Sequence, residues 1–225
     1  LAEEPDRLKG IALAGMISHL ACADDPDHPM NVEQKTRFRA AHELLSAAIG
    51  PLETSFANSS GIFLGVDYHG DLARPGAALY GVNPTPNRSN SMEQVFQLQG
   101  KIVQLREIDR DGTVGYGATR RVTRGERIAT VAVGYADGYL RSLSDHAAGF
   151  IGPTRIPLVG RVSMDLLSFD VSALPPADAA PGTLVTLIGA EHPVDNLAAE
   201  AGTIGYEILT ALGARYARRY VGGPA

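Results

Sequence analysis

The sequence predicts an α/β segment followed by a mostly β domain. Apolar runs alternate with an amphipathic helix up to about residue 85, and short strand-like runs separated by turn clusters take over from about residue 92. A Pro/Asn/Ser-rich stretch, NPTPNRSNS (83–91), divides the two textures and marks the boundary between residues 1–85 and 92–225.

Taken in order, the opening LAEEPDRLKG has no initiator Met, no basic n-region and no signal-peptide core, and reads as the end of a helix inside a longer protein. IALAGMISHL (11–20) is a nearly unbroken apolar run, expected as a strand buried on both faces. NVEQKTRFRAAHELLSAAIG (31–50) is expected as a helix. Asn31 and Gln34 form a capping-box-like start, Val32, Phe38, Ala41, Leu44, Leu45 and Ala48 lie mostly on one stripe, and Gly50-Pro51 ends it. A helical ANSSGIFL (57–64) follows, then AALYGV (77–82) as a further strand. Strand–helix alternation of this kind implies parallel βαβ units. An 85-residue piece is roughly a third of a ~250-residue (β/α)8 barrel. An unclosed parallel sheet exposes apolar edges, so the rest of such a barrel is expected to pair with it or to have been removed.

The later runs VFQLQGKIVQLREI, TVGYGATRRV, ERIATVAVGY, TRIPLVGRVS, DLLSFDV and TLVTLIG read as strands separated by DRDG, TRGE and PPADAAPG. DNLAAEAG and TIGYEILTALG read as helices, and YARRYVGG as a closing strand.

Composition narrows the function. A hydrophobic content of 44% with 20% charged residues is that of an ordinary globular protein. A net charge of −5 argues against a nucleic-acid binder, and no apolar stretch is long enough for a membrane span. The lone Cys22 cannot form an internal disulfide, which suits the reducing cytoplasm.

Several motifs carry possible chemistry. HLACADDPDH (19–28) gathers His19, Cys22, Asp24, Asp25, Asp27 and His28 but lacks zinc spacing, so no metal is expected. The better reading is a loop at the C-terminal end of a barrel strand, with His19 facing whatever binds there. ANSSG (57–61) and RPGAALYG (74–81) place small residues and Ser59 where backbone N–H groups could meet an anion, although Ser/Gly turns are common without one. VGYGATRRV and VAVGYADGY each set a Tyr between glycines near a strand end. Either Tyr could be a general base, but residue chemistry alone favours buried core tyrosines. Arg161 and Asp165 in GRVSMD read as a surface ion pair.

The ordered series HLACAD, ANSSG, RPGAALYG, VGYGAT, VAVGYADGY, LVGRVSMD and TIGYE resembles alanine racemase over essentially the whole chain. The resemblance implies the C-terminal part of a (β/α)8 barrel that holds pyridoxal 5'-phosphate, followed by a mostly β C-terminal domain. It also implies a homodimer with the active site shared between subunits, and interconversion of L- and D-alanine in the cytoplasm for peptidoglycan. Tyr116 matches the catalytic tyrosine, Arg74 the arginine at the cofactor's pyridine nitrogen, and His19 the histidine that supports both. Ser59, the backbone at Gly76 and Ala77, and Tyr206 match the phosphate-binding set, and Met164 and Tyr135 the groups at the substrate carboxylate and the entrance. The family's early lysine motif is missing, and the only lysines are Lys9, Lys35 and Lys101. The resemblance therefore implies an enzyme whose anchoring lysine is not in this chain, which is inactive alone. A broad-specificity racemase, a decarboxylase of the same architecture and a non-catalytic dimerisation module are the alternatives.

Overall fold

The computed structural model describes residues 1–222 and divides into two units, Leu1–Glu93 and Gln94–Ala225. In the first, β1 (Gly15–Ile17) and β2 (Glu53–Ser55) pair in parallel with Met16 opposite Thr54, and α1 (Met30–Ile49) makes the crossover that a parallel pair requires. Phe38 of α1, Phe56 just beyond β2 and Tyr68 form a stack. Their ring centroids lie 4.7 and 6.3 Å apart, and both pairs are tilted by only 9°. Leu20 and Ala23 complete this small core. Lys35 Nζ lies 4.5 Å from the centre of the Tyr68 ring and 3.4 Å from Asp67 Oδ2, so its charge is used at the core's rim. The short α2 (Ser59–Ile62) and 3-10 turns at Val66–Tyr68 and Ala77–Tyr80 finish the unit.

Three features depart from the sequence expectations. The 11–20 run is a strand only at Gly15–Ile17, and it is not buried on both faces: Ile17 is 65% exposed, and Ile11 and Leu13 are also exposed. Among the described residues β1 has a single strand neighbour, β2. Residues 77–82 form no strand. Ala77–Tyr80 coil into a 3-10 turn closed by Gly81 in the left-handed region, and the Ala78 N–H bonds to Ser59 Oγ, out of reach of any ladder. Finally, α1 starts one residue early and has no side-chain cap. Pro29, with helical φ already set, takes the N-cap position. Asn31 Nδ2 is thereby turned to donate to Asp25 O at 2.9 Å. Gln34 instead staples the preceding loop, accepting from Ala21 N and donating to His19 O.

The second unit contains β3 (Leu98–Glu107), β4 (Gly112–Val114), β5 (Arg120–Val122), β6 (Arg127–Val131), β7 (Ala148–Ile151), β8 (Thr154–Pro157), β9 (Leu167–Asp170) and β10 (Leu184–Ile188), then α3 (Val194–Ala201) and α4 (Gly205–Ala211). Six strands form an antiparallel sheet in the order β8-β7-β10-β3-β6-β9, and β4 and β5 form a separate hairpin. A bridge between Leu158 and Phe169 joins the residue after β8 to β9, so the two ends of the sheet meet. Closure of this kind hides the strand edges that an open sheet would present. Ile102, Val131, Leu167, Phe169, Val185 and Leu187 are all buried at the centre. β3 alternates in from Leu98, Gly100 and Ile102 and out through Gln99 and Lys101, the period-2 pattern of a strand with one dry face.

The sequence reading missed β7, whose central Gly149 weakens the strand signal. The glycine is needed there, since a Cβ would run into the Val185 side chain of the neighbouring strand. The expected closing strand at YARRYVGG does not form over its described residues, 216–222, and Gly223 lies outside them. Among the described residues no helix is long and apolar enough to cross a membrane.

Phe169 sits where the sheet closes and has no solvent exposure. Replacing it with Ala is expected to cost about 3–5 kcal/mol, read as a lowered urea midpoint with an unchanged m-value.

Candidate active site

In the first unit, His19, Ser59 and Arg74 cluster where the two parallel strands end, the position from which such sheets commonly present ligand-binding groups. Beyond β2 the chain turns at Asn58, which caps α2 by accepting the Gly61 N–H at 2.8 Å. Ser59 is buried, and its Oγ accepts the N–H groups of Gly76 (2.9 Å) and Ala78 (3.3 Å), so two backbone donors converge on one hydroxyl. The second of these donors is Ala78 rather than Ala77, which is itself buried.

Arg74 runs beside Asn58 through a parallel bridge, and its N–H donates to Ala57 O. Its guanidinium is fixed at both ends, donating from Nη1 to Ser55 Oγ at 2.6 Å and from Nη2 to Ser18 O at 2.7 Å. Ser55 Oγ in turn donates to Leu72 O. These bonds use two of the five guanidinium N–H donors and set the plane in which the others point. Ser18 and Ser55 carried no recognisable signal in the sequence.

His19 is exposed, with Nε2 3.3 Å from Asn58 Nδ2. Because the Gly61 N–H identifies the oxygen end of the Asn58 amide, the other end is a donor. Nε2 is therefore the acceptor, and the neutral ring carries its proton on Nδ1. The rest of the 19–28 segment is occupied in turns: Asp25 Oδ1 accepts from Asp27 N and His28 Nδ1 from Met30 N.

In the second unit, Tyr116 opens a 3-10 turn at Tyr116–Ala118, between Gly115 and Gly117 at φ +82° and +76°. The turn lies against Gly160-Arg161. A Cβ on Gly115 would sit 3.1 Å from Arg161 N, and one on Gly117 3.1 Å from Arg161 Nη1. The backbone thus leaves Tyr116 70% exposed. Tyr135 is also exposed, and the buried tyrosine of the GYADGY motif is Tyr139, at 1%. Reading the glycine-flanked tyrosines as core residues therefore fails for Tyr116 and Tyr135. Burial pushes the Tyr139 phenol far above its ordinary range, with the Glu200 charge adding to the effect.

Tyr135 and Met164 are carried by two segments bonded backbone to backbone. Tyr135 N donates to Ser163 O at 3.0 Å and Ala136 N to Met164 O at 2.9 Å. Asp165 pairs not with Arg161, as expected, but with Arg215 at 2.8 Å, because the Arg161 side chain lies along Gly117. Tyr206 sits half-exposed in the first turn of α4.

Comparison with known proteins accounts for both units. Residues 1–84 match the model of the alanine racemase N-terminal domain and residues 95–220 that of the alanine racemase C-terminal domain. The chain belongs to the alanine racemase family. It is 53% identical to the alanine racemase of Rhodospirillum rubrum over 99% of this chain and 58% of that one. It is 51% identical to a catabolic alanine racemase of Mesorhizobium japonicum over 99% of this chain and 57% of that one. The alanine racemase of Bartonella henselae, solved with covalently bound pyridoxal phosphate, shares the fold with a TM-score of 0.88 and 36% identity, over 98% of this chain and 60% of that one. The chain thus spans a little under three fifths of the length of these two relatives. Its fold class is that of the family, the last part of a (β/α)8 barrel and then a mostly β domain.

Gly134 leaves no room for a side chain. A Cβ there would collide with the carbonyl oxygens of Ser163 and Met164. Gly134→Ala is expected to lose about 1–3 kcal/mol of stability by forcing these segments apart, measured by thermal unfolding.

Proposed function

We propose that this chain forms the end of the barrel and the tyrosine-bearing domain of an alanine racemase that interconverts L- and D-alanine with pyridoxal 5'-phosphate. On this reading residues 1–85 belong to the cofactor-binding barrel and residues 92–225 to the β-domain. The observation that carries it is Tyr116, an aromatic side chain held out into solvent by two left-handed glycines. A phenol that served only packing would be buried.

The donors of the first unit fit the cofactor. Ser59 accepts two N–H groups and keeps its own hydroxyl proton to donate, and nothing lies within 4 Å of where a Cβ on Gly76 would stand. Ser59 with the backbone at Gly76 and Ala77 suits a phosphate, and Tyr206 is the hydroxyl that the family resemblance would add. Arg74 suits the pyridine nitrogen, because a guanidinium donates without giving up its proton. When bound, pyridoxal phosphate supplies the electron withdrawal that acidifies the substrate's α C–H.

The chain's own work is then proton transfer and positioning. Tyr116 Oη takes the α-proton of L-alanine on one face and returns one there. A second base must serve the other face, since a single base tends to replace the proton on the side it left. No lysine here is available beside Arg74 or Ser59: Lys9 pairs with Asp6, Lys35 with Asp67, and Lys101 lies on β3. The second base and covalent anchor are a lysine from barrel residues outside this sequence. The family resemblance would have His19 support Arg74 and Tyr116, Met164 lie at the substrate carboxylate and Tyr135 at the entrance; in the structure the His19 ring is bonded to Asn58. The site is shared across a homodimer in the cytoplasm, and D-alanine goes to peptidoglycan.

In the PLP-loaded enzyme assembled with the lysine-bearing part of the barrel, Tyr116→Phe is expected to lower racemisation about 10²–10⁴-fold. Exchange of the α-proton of D-alanine with D2O, followed by NMR, is expected to outlast it. Racemisation at the wild-type rate would sink the reading. For this chain alone with PLP, no racemisation is expected and borohydride treatment should leave the intact mass unchanged; a reduced adduct on Lys9, Lys35 or Lys101 would contradict this.

A further inference from the structure

The stretch after α4 reaches back to both segments that carry Tyr135 and Met164. Arg215 Nη2 lies 2.8 Å from Asp165 Oδ1, and its Nε lies 3.3 Å from Asp137 Oδ1. Asp137 is the better buried partner, its side chain only 10% exposed, whereas Asp165 is 53% exposed. The other oxygen of Asp137, Oδ2, accepts the Gly134 N–H at 2.8 Å, and its carbonyl accepts the N–H of Gly213 at 3.1 Å. A Cβ on Gly138 would collide with the carbonyl of Ala211, so the end of α4 packs directly on the Gly134–Gly138 turn. Three segments therefore meet at one guanidinium: 134–138 with Tyr135, 163–165 with Met164, and the chain that leaves the helix of Tyr206.

We infer that Arg215 is a positioning residue that ties these segments together and so sets how Tyr135 and Met164 present themselves to the substrate. The inference rests on the reading of those two residues given above. An isolated exposed ion pair is worth little, because solvent and salt screen it. Arg215 differs in bridging two carboxylates on separate segments, one of them nearly buried and already holding a backbone N–H. The fork of the guanidinium can serve both at once, with one nitrogen to each. A lysine ammonium is a point donor on a flexible stem and cannot hold both carboxylates in that fixed geometry. Arg215 touches neither of the exposed side chains it would position, so its effect must pass through the backbone of the two segments.

The test uses Arg215→Met, Arg215→Lys and Asp165→Asn in the PLP-loaded assembled enzyme, with Tyr116→Phe as a control for the reading itself. Arg215→Met is expected to raise KM for alanine about tenfold with kcat changed far less, the pattern of a lost binding geometry. Arg215→Lys should fall between it and wild type. Combining Arg215→Met with Asp165→Asn should add little to Arg215→Met alone, since both cut the same link. Amide hydrogen exchange without substrate should speed up in 134–138 and 163–165 and stay unchanged in β3 and β10, which general destabilisation would not spare. Wild-type KM with wild-type exchange in those segments overturns the inference. Should Arg215→Met fail to fold, Asp165→Asn carries the same two outcomes. If the wild-type enzyme does not racemise alanine, or Tyr116→Phe retains full activity, the reading of the site fails, and the exchange measurement still decides whether Arg215 is a clamp.

Discussion

Two hydrogen bonds between backbones, Tyr135 N–H to Ser163 O and Ala136 N–H to Met164 O, hold together the part of the second unit that faces solvent with chemically useful side chains. They exist because residue 134 is glycine. Its missing side chain lets the turn approach the carbonyls of Ser163 and Met164 more closely than any Cβ would permit. Once that contact is made, much follows from it. Asp137 folds back on the Gly134 N–H, its remaining oxygen meets Arg215, and Arg215 takes in Asp165. The segments that carry Tyr135 and Met164 are thereby joined backbone to backbone.

The Tyr116 turn rests on a related arrangement. Gly115 and Gly117 take left-handed conformations against Gly160-Arg161, which is the strand-end continuation of the same GRVSMD segment. The segment therefore supports Tyr116 from its beginning and Tyr135 from its end. Asp145 fastens it further by accepting the Gly160 N–H at 2.6 Å. The closed sheet beneath gives all of this a rigid base, since its buried strands leave the connecting loops as the places where side chains can be shown to solvent.

The first unit works by different means. Its core is small, a stack of Phe38, Phe56 and Tyr68 with a few neighbours, and Ile17 of β1, with Ile11 and Leu13 before it, remains in solvent. Where it is ordered, polar bonds do the ordering. Arg74 is pinned between Ser18 and Ser55, and Ser59 gathers the N–H groups of the 76–78 turn. A donor-rich surface of that kind suits an anion and an aromatic nitrogen.

The sequence by itself determined the family and most of the elements. Motifs such as GYGAT, GYADGY and GRVSMD are local strings whose order survives reading along the chain, and strand periodicity and turn clusters located all but one strand of the closed sheet. It also named Tyr116, Arg74 and Ser59, because each stands inside such a string. Tertiary structure decided which side chains meet. Arg161 and Asp165 are four residues apart and look like partners, yet the backbone sends one to Gly117 and the other to Arg215, fifty residues on. Ser18 and Ser55 are ordinary residues until parallel pairing of β1 and β2 brings both under Arg74. Whether an apolar run is buried, as at 11–20, depends equally on what lies across from it. Contacts between distant segments are set by the path of the backbone, and a linear motif holds no record of that path.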